Sequence, residues 1–305
     1  MRTDFYYDSL GGGKIHGCRW TPEGEVKAVV QIVHGIAEYA QRYDDLATYL
    51  NSRGILVVAE DHMGHGLSIS DAAPRGCFSG GWKAAVKDTF RLLKNTMDEF
   101  PGVPLFLFGH SMGSFMARHI LIRHPGSGIS GAIICGTGWM NDSVVKAGKA
   151  LSGYICKAKG ERHCSTMLQT MMFGGYDKKI EHKRTKSDWL SRDTKVVDAY
   201  EADPLCGFVP SAGLVHAMME GLTYIQKPEN LDKMNKELPC FFISGGDDPV
   251  GNYGEGVRKA VQMFKKHGMT WVDLRLYPLC RHEIHNEINK QEVYCNIADW
   301  IENLY

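Results

Sequence analysis

The stretch Pro104-Leu105-Phe106-Leu107-Phe108-Gly109-His110-Ser111-Met112-Gly113 constrains this chain more than any other. Residues 104–109 are an apolar run opened by a proline, the pattern of a strand buried on both faces of a parallel sheet. From 112 to 122 the period changes. Met112, Phe115, Met116, His119 and Ile120 recur at i, i+3, i+4, i+7 and i+8, one face of a helix. The junction, Gly109-His110-Ser111-Met112-Gly113, is a G-x-S-x-G set in the strand–turn–helix context of a nucleophile elbow. So tight a turn strains the backbone and projects the Ser111 hydroxyl from the sheet edge. The helix that follows points its first amides at the reaction centre, where they favour a developing oxyanion. Gly109 and Gly113 are expected because neighbouring backbone passes too close for a side chain. The plainer reading is that Ser111 only caps the helix.

Strand and helix patterns alternate on both sides of this unit. Residues 4–9 and 14–20 suggest an edge hairpin joined by Gly11-Gly12-Gly13. Buried strands follow at 28–33, 55–59, 104–109 and 131–135, with helices at 42–52, 82–99 and 112–122. On the helix at 82–99, Trp82, Val86, Phe90, Leu93 and Met97 share one side. The alternation stops at Gly136 and resumes with strands at 239–244 and 271–277 and helices near 253–267 and 287–303. This argues an α/β fold, a doubly wound, mostly parallel sheet with right-handed crossovers. The core is expected at 1–138 and 239–305. The stretch 139–238 is too long for a loop and reads as an inserted, mainly helical cap. It holds 7 of the 14 methionines: Met140, Met167, Met171, Met172, Met218, Met219 and Met234. Flexible thioethers suit either a surface that adapts to apolar ligands or the filling of the cap's own core. The charged run from Lys178 to Lys195 reads as a solvated face, with transient contact to anionic lipid headgroups as the alternative.

At 305 residues with a formal net charge of 0, the chain can bury a large core and shows no field for nucleic acid. No window is apolar for long enough to span a bilayer. The N-terminus has no apolar run of the signal-peptide kind. The 9 cysteines lack paired C-x-x-C spacing, which suggests reduced thiols in a cytoplasmic enzyme rather than a disulfide framework or a zinc site.

A serine nucleophile needs a base, and the base needs a partner that fixes its tautomer. In this topology the order is Ser, acid, His, with the last two on loops after the final strands. Strand 239–244 runs into Gly245-Gly246-Asp247-Asp248-Pro249-Val250. Strand 271–277 runs into Pro278-Leu279-Cys280-Arg281-His282-Glu283-Ile284-His285. Asp247 and Asp248 cannot both face the histidine, and the proline restrains the backbone of Asp248. His282 is nearer the strand end than His285, whose other role is packing or capping. A second oxyanion amide beside that of Met112 is expected at Ile36, in the turn His34-Gly35-Ile36 after strand 28–33. His34 and Gly35 shape that turn, and Glu38 either braces it or is a solvated carboxylate. His62 with His65, and His282 with His285, are spaced H-x-x-H without the metalloprotease helix signature or a completing ligand cluster, so no metal is expected and no cofactor is implied. Cys280 lies close enough in sequence to His282 to neighbour the pocket, with an inert buried thiol as the alternative.

Five stretches together resemble a known family: His34 to Glu38, Asp61 to Ser68, Gly109 to Gly113, Gly246 to Gly251 and Arg281 to Glu283. They are similar to the monoacylglycerol lipase and lysophospholipase branch of the α/β-hydrolases, bacterial members above all. The resemblance implies Asp248 rather than Asp247, His282 rather than His285, and Ile36 and Met112 as oxyanion donors. It implies a capped serine hydrolase that cleaves esters of single-chain lipids. Met63 stands where many relatives carry arginine. A peptidase or thioesterase on the same machinery is the rival reading, with Glu161, Glu181, Glu201 and Glu220 available in the insertion to hold a substrate amine. A catalytically silent binding protein is the second rival.

Overall fold

The apolar runs form the centre of the molecule, as seen in a computed structural model covering residues 1–305. Eight strands, β1 (Arg2–Asp8), β2 (Lys14–Trp20), β3 (Ala28–Val33), β4 (Ile55–Glu60), β5 (Leu105–His110), β6 (Gly131–Cys135), β7 (Cys240–Gly245) and β8 (Val272–Tyr277), lie in the order β1-β2-β4-β3-β5-β6-β7-β8. The sheet is parallel from β4 to β8, and the β1–β2 hairpin joins β4 antiparallel at one edge. Every residue of β3 through β7 is buried, which explains runs that show no alternation. This is the α/β-hydrolase architecture.

Helices α1 (Asp44–Ser52), α2 (Gly81–Glu99) and α3 (Met112–Arg123) connect the early strands. From β3 the chain crosses to β4 on one side, then returns by α2 to β5 on the other. The carboxyl ends of β3 and β5 therefore face a crevice at the switch point, where open α/β sheets bind ligands. Five helices lie between β6 and β7: α4 (Asp142–Lys159), α5 (Thr166–Phe173), α6 (Thr194–Ala202), α7 (Ala212–Ile225) and α8 (Pro228–Leu231). Two more, α9 (Glu255–Lys266) and α10 (Lys290–Glu302), follow β7 and β8.

The insertion shares most of its core with the rest of the chain, and only Leu190, Tyr200 and Cys206 form a small cluster apart. Leu214, Val215, Met218, Met219, Leu222 and Ile225 of α7 share one apolar cluster with Trp82, Val86, Met112, Met116 and Ile120 of α2 and α3. A methyl group at Gly221 would lie 2.2 Å from the Trp82 ring, so α7 needs a glycine there to pack so closely. Met218, Met219 and Met234 fill this shared core, whereas Met167 and Met171 are exposed. The buried methionines thus serve a core common to both parts of the chain rather than one belonging to the insertion alone.

The last helices begin later than periodicity suggests. Asn252, Tyr253 and Gly254 are all left-handed, with φ of 48°, 56° and 90°, so no right-handed helix starts before Glu255. Residues Ile284–Asn286 form a 3-10 turn, and α10 starts only at Lys290.

Candidate active site

Ser111 sits between β5 and α3 with φ 53° and ψ −122°, a conformation that non-glycine residues seldom adopt. Its amide donates to the Cys135 carbonyl (3.0 Å), and its carbonyl accepts from the Ser114 hydroxyl (2.6 Å). The two motif glycines have steric causes. A Cβ on Gly109 would stand 2.5 Å from the Gly113 carbonyl oxygen, and one on Gly113 would stand 1.9 Å from that of Val33. Ser111 makes no capping bond to α3.

Cross-strand register sets the neighbours. Val33 pairs with Gly109, so the turn after β3 lies beside the elbow. A Cβ on Gly35 would be 3.0 Å from Ser111 Cβ. The amides of Ile36 and Met112 donate to no protein acceptor and flank Ser111. His34 is fully buried; its Nδ1 is 2.7 Å from its neighbour's carbonyl at Gly35, and its Nε2 accepts from the His62 amide (2.9 Å). Burial and the adjacent His62 and His65 hold His34 well below the ordinary imidazole range, as suits a residue that shapes a turn.

Asp248 and His282 converge from the loops after β7 and β8. Nδ1 of His282 is 3.0 Å from both carboxylate oxygens of Asp248. Asp248 is fully buried and also accepts from the Ser244 hydroxyl (3.1 Å) and the Val250 amide (2.9 Å). Asp247 points outward and is exposed. Burial alone pushes the His282 imidazole down, but the Asp248 carboxylate more than offsets it and leaves the pKa raised. Ser111 and His282 line one cavity, and no hydrogen bond joins them without a ligand. Such bonds commonly tighten only around a substrate.

Glu38 is buried rather than solvated. Its Oε1 accepts from the Gly35 amide (2.6 Å) and the Tyr43 hydroxyl (3.0 Å) and lies 2.9 Å from His110 Nδ1. Burial works against its charge, yet His110 and Arg42 hold its carboxyl well below the usual range. Arg42 reaches on from Glu38 (3.0 Å) to a two-pronged pair with Glu283 at 2.6 Å per bond. One guanidinium thus ties the turn after β3 to the residue following His282. Arg42 carries no local signature, and nothing local pairs it with Glu283: the two are 241 positions apart, and only the fold unites them.

The cavity has a volume of about 260 Å³. Phe173, Trp189, Tyr200 and Phe208 supply aromatic wall, with Gln169 and Asp177 as polar spots. The Trp189 ring centre is 5.1 Å from that of His282, and Phe173 and Tyr176 pack on Trp189 in turn. Trp189 and Leu190 are an apolar pair within the charged run 178–195; their carbonyls accept from the amides of His282 (3.3 Å) and Glu283 (2.7 Å). No methionine lines the cavity, and neither does Glu161, Glu181, Glu201 or Glu220. His285 turns away to stack on Tyr43 at 4.6 Å. Cys280 is buried outside the cavity, its thiol pushed up to about 11 by burial. His62 is 3.1 Å from the His34 carbonyl through Nε2, and His65 is 3.0 Å from that of Met63 through Nδ1, so this pair braces loops.

A parallel sheet with a strained serine at its carboxyl edge, two free amides and a carboxylate-bound imidazole defines the chain as a serine hydrolase of the esterase kind. Residues 24–289 match the model of the serine aminopeptidase family S33, and the chain belongs to that family, within its monoacylglycerol lipase-like α/β-hydrolases. Monoacylglycerol lipase of Mycolicibacterium smegmatis is 28% identical over 313 residues, covering 98% of this chain and 97% of its own. Human monoglyceride lipase is 26% identical over 294 residues, covering 95% and 87%. A thermostable carboxyl esterase from Bacillus coagulans, solved with glycerol, superposes with a TM-score of 0.92 at 30% identity over 99% of this chain and 98% of that one.

Proposed function

We propose that this enzyme hydrolyses carboxyl esters of single-chain lipids, a monoacylglycerol or a lysophospholipid, through an acyl-enzyme. Ser111 attacks the ester carbonyl while His282 takes its proton, and the Ser111–acyl bond forms as the alcohol leaves with that proton. Asp248 orients the imidazole and stabilises its charged form. The amides of Ile36 and Met112 hold the tetrahedral oxyanion. His282 then activates water, which releases the acid and restores Ser111. Residues 139–238 serve as a cap over the core formed by 1–138 and 239–305. Nine free thiols suit a reducing, cytoplasmic setting. No helix is long and apolar enough to cross a membrane.

The observation that carries this reading is the cavity beside Ser111. Its volume of about 260 Å³ lies just below the usual ligand-pocket range of roughly 300–1,000 Å³. That favours one acyl chain of short to medium length and disfavours two. Glu161, Glu181, Glu201 and Glu220 lie outside the cavity, but Asp177 of the insertion lines it, so amine recognition by a peptidase would rest on Asp177. A panel of p-nitrophenyl esters tests the proposal. Octanoate or decanoate should exceed acetate in kcat/KM, with decline at palmitate. Acetate turned over as well as octanoate would remove the lipid assignment. Fluorophosphonate labelling of the wild type, lost in Ser111→Ala, tests the nucleophile, and an unlabelled wild type would favour a silent binding protein.

A further inference from the structure

The antiparallel hairpin at the far edge of the sheet carries side chains that ester chemistry does not use. Asp4 of β1 and Cys18 of β2 are cross-strand partners, and His16 precedes Cys18 by two residues. All three therefore project on one face. Cys18 Sγ is 3.5 Å from Asp4 Oδ1 and 4.0 Å from His16 Nε2, and His16 Nε2 is 3.8 Å from Asp4 Oδ2. Ligand atoms around a tetrahedral zinc ion, with bonds of ~2.0–2.3 Å, stand about 3.3–3.6 Å apart. The three need to draw in by only a few tenths of an ångström.

The surroundings favour the ligand form of the histidine. His16 Nδ1 is 2.8 Å from Asp61 Oδ2. Asp61 is fully buried and is itself fixed by the amides of Ala40 and Leu67, each at 2.8 Å. A carboxylate so placed keeps the proton on Nδ1 and turns the Nε2 lone pair toward Cys18 and Asp4, the outer partner typical of metal-binding histidines. His16 and Cys18 are fully buried, whereas the Asp4 side chain is 43% exposed and opens a path from solvent. Arg2 approaches Asp4 at 3.7 Å but is also held by Asp44 at 3.0 Å, so Asp4 can exchange it for another cation. A second convergence, His110, Cys135 and His285, is buried at all three residues without such a path.

We propose that Asp4, His16 and Cys18 form a zinc-type site that pins the edge hairpin, with a fourth position open to water. Binding forms one zinc–sulfur bond and releases the thiol proton to solvent. Asp4, the Cys18 thiolate and the nearby Asp61 supply the negative charge that such an ion requires.

Cobalt(II) titrated into the chelator-treated full-length protein tests the site. Wild type should develop a thiolate-to-cobalt charge-transfer band and tetrahedral visible absorption that saturate at one equivalent and vanish on adding zinc. Cys18→Ser should show no band. Asp4→Asn, at an exposed position, should weaken binding about tenfold or more while its thermal melt stays cooperative. A wild type without the band overturns the proposal, and so does a band that survives in Cys18→Ser. If Cys18→Ser fails to fold, unchanged affinity in Asp4→Asn overturns it as well. In a metal-free role His16 is held only between Asp61 and Asp4, and the titration then shows no cobalt band.

Discussion

Replacing Glu283 by glutamine tests whether the loop carrying His282 is fixed by a buried charge pair. The Arg42 and Glu283 side chains are only 10% and 2% exposed and meet through two bonds of 2.6 Å. Removing one partner of a buried pair costs about 3–5 kcal/mol, because the other charge stays buried and undercompensated. Glutamine keeps the shape, and Arg42 keeps Glu38 at 3.0 Å, so the lower end, about 3 kcal/mol, applies here. For a chain of this size that corresponds to a fall in Tm of roughly 6 °C. The imidazole sits one residue away, and a displacement near 1 Å costs on the order of 100-fold in rate. Calorimetry with p-nitrophenyl octanoate kinetics should show both losses, with kcat falling more than KM rises. Arg42→Met combined with Glu283→Leu should recover most of the Tm but not the rate, since apolar replacement of both partners is often neutral. A single variant melting within ~2 °C of wild type, or a double variant less stable than Glu283→Gln, would refute the reasoning.

Other outcomes follow from the same geometry. Asp248→Asn should lower kcat by about 10³–10⁴-fold while leaving the fold intact. Because the folded-state pKa of His282 is raised above 6.5, the acid limb of kcat/KM should be centred above that value and move down in Asp248→Asn. The stability that Asp248 gives the imidazolium is present below about pH 6.5 and lost as pH rises through the raised value, so a His282→Gln variant should lose most against wild type in acid. Gly113→Ala sets a methyl 1.9 Å from the Val33 carbonyl oxygen and should cost at least ~3 kcal/mol, read by urea unfolding. Trp189→Ala removes aromatic wall beside His282 and should raise KM for octanoate about tenfold, with acetate nearly unchanged.

The centre of the sheet was legible because β3 to β7 are buried on both faces and read as unbroken apolar runs. Met112, Met116 and Ile120 likewise disclosed the helix behind Ser111, because that helix buries its full face. Loop residues were legible only where their chemistry is local. The proline after Asp248 marks an extended backbone, and the structure puts Asp248 beside His282 and Asp247 in solvent. Long-range pairs left no trace in one sequence. In the sequence Glu38 reads equally as a brace of its turn or a solvated acid, and only His110, Tyr43 and Arg42 around it decide. Trp189 lies inside a run whose charges suggest only a wet surface, yet its ring packs on the imidazole. Periodicity starts the last two helices a few residues before Glu255 and Lys290, because it carries no information about left-handed turns or 3-10 geometry.

The way α7 is rooted beneath α2 and α3 divides the insertion into a foundation and an awning. The foundation cannot be exchanged without rebuilding the interior, because Met218, Met219 and Leu222 belong to it. The awning, residues 165–208, contributes most of the cavity wall beyond the Ser111 neighbourhood. A chimaera that swaps only this strip from a relative should therefore inherit the donor's chain-length preference while keeping the host's melting behaviour, which makes selectivity a separately graftable property of this scaffold.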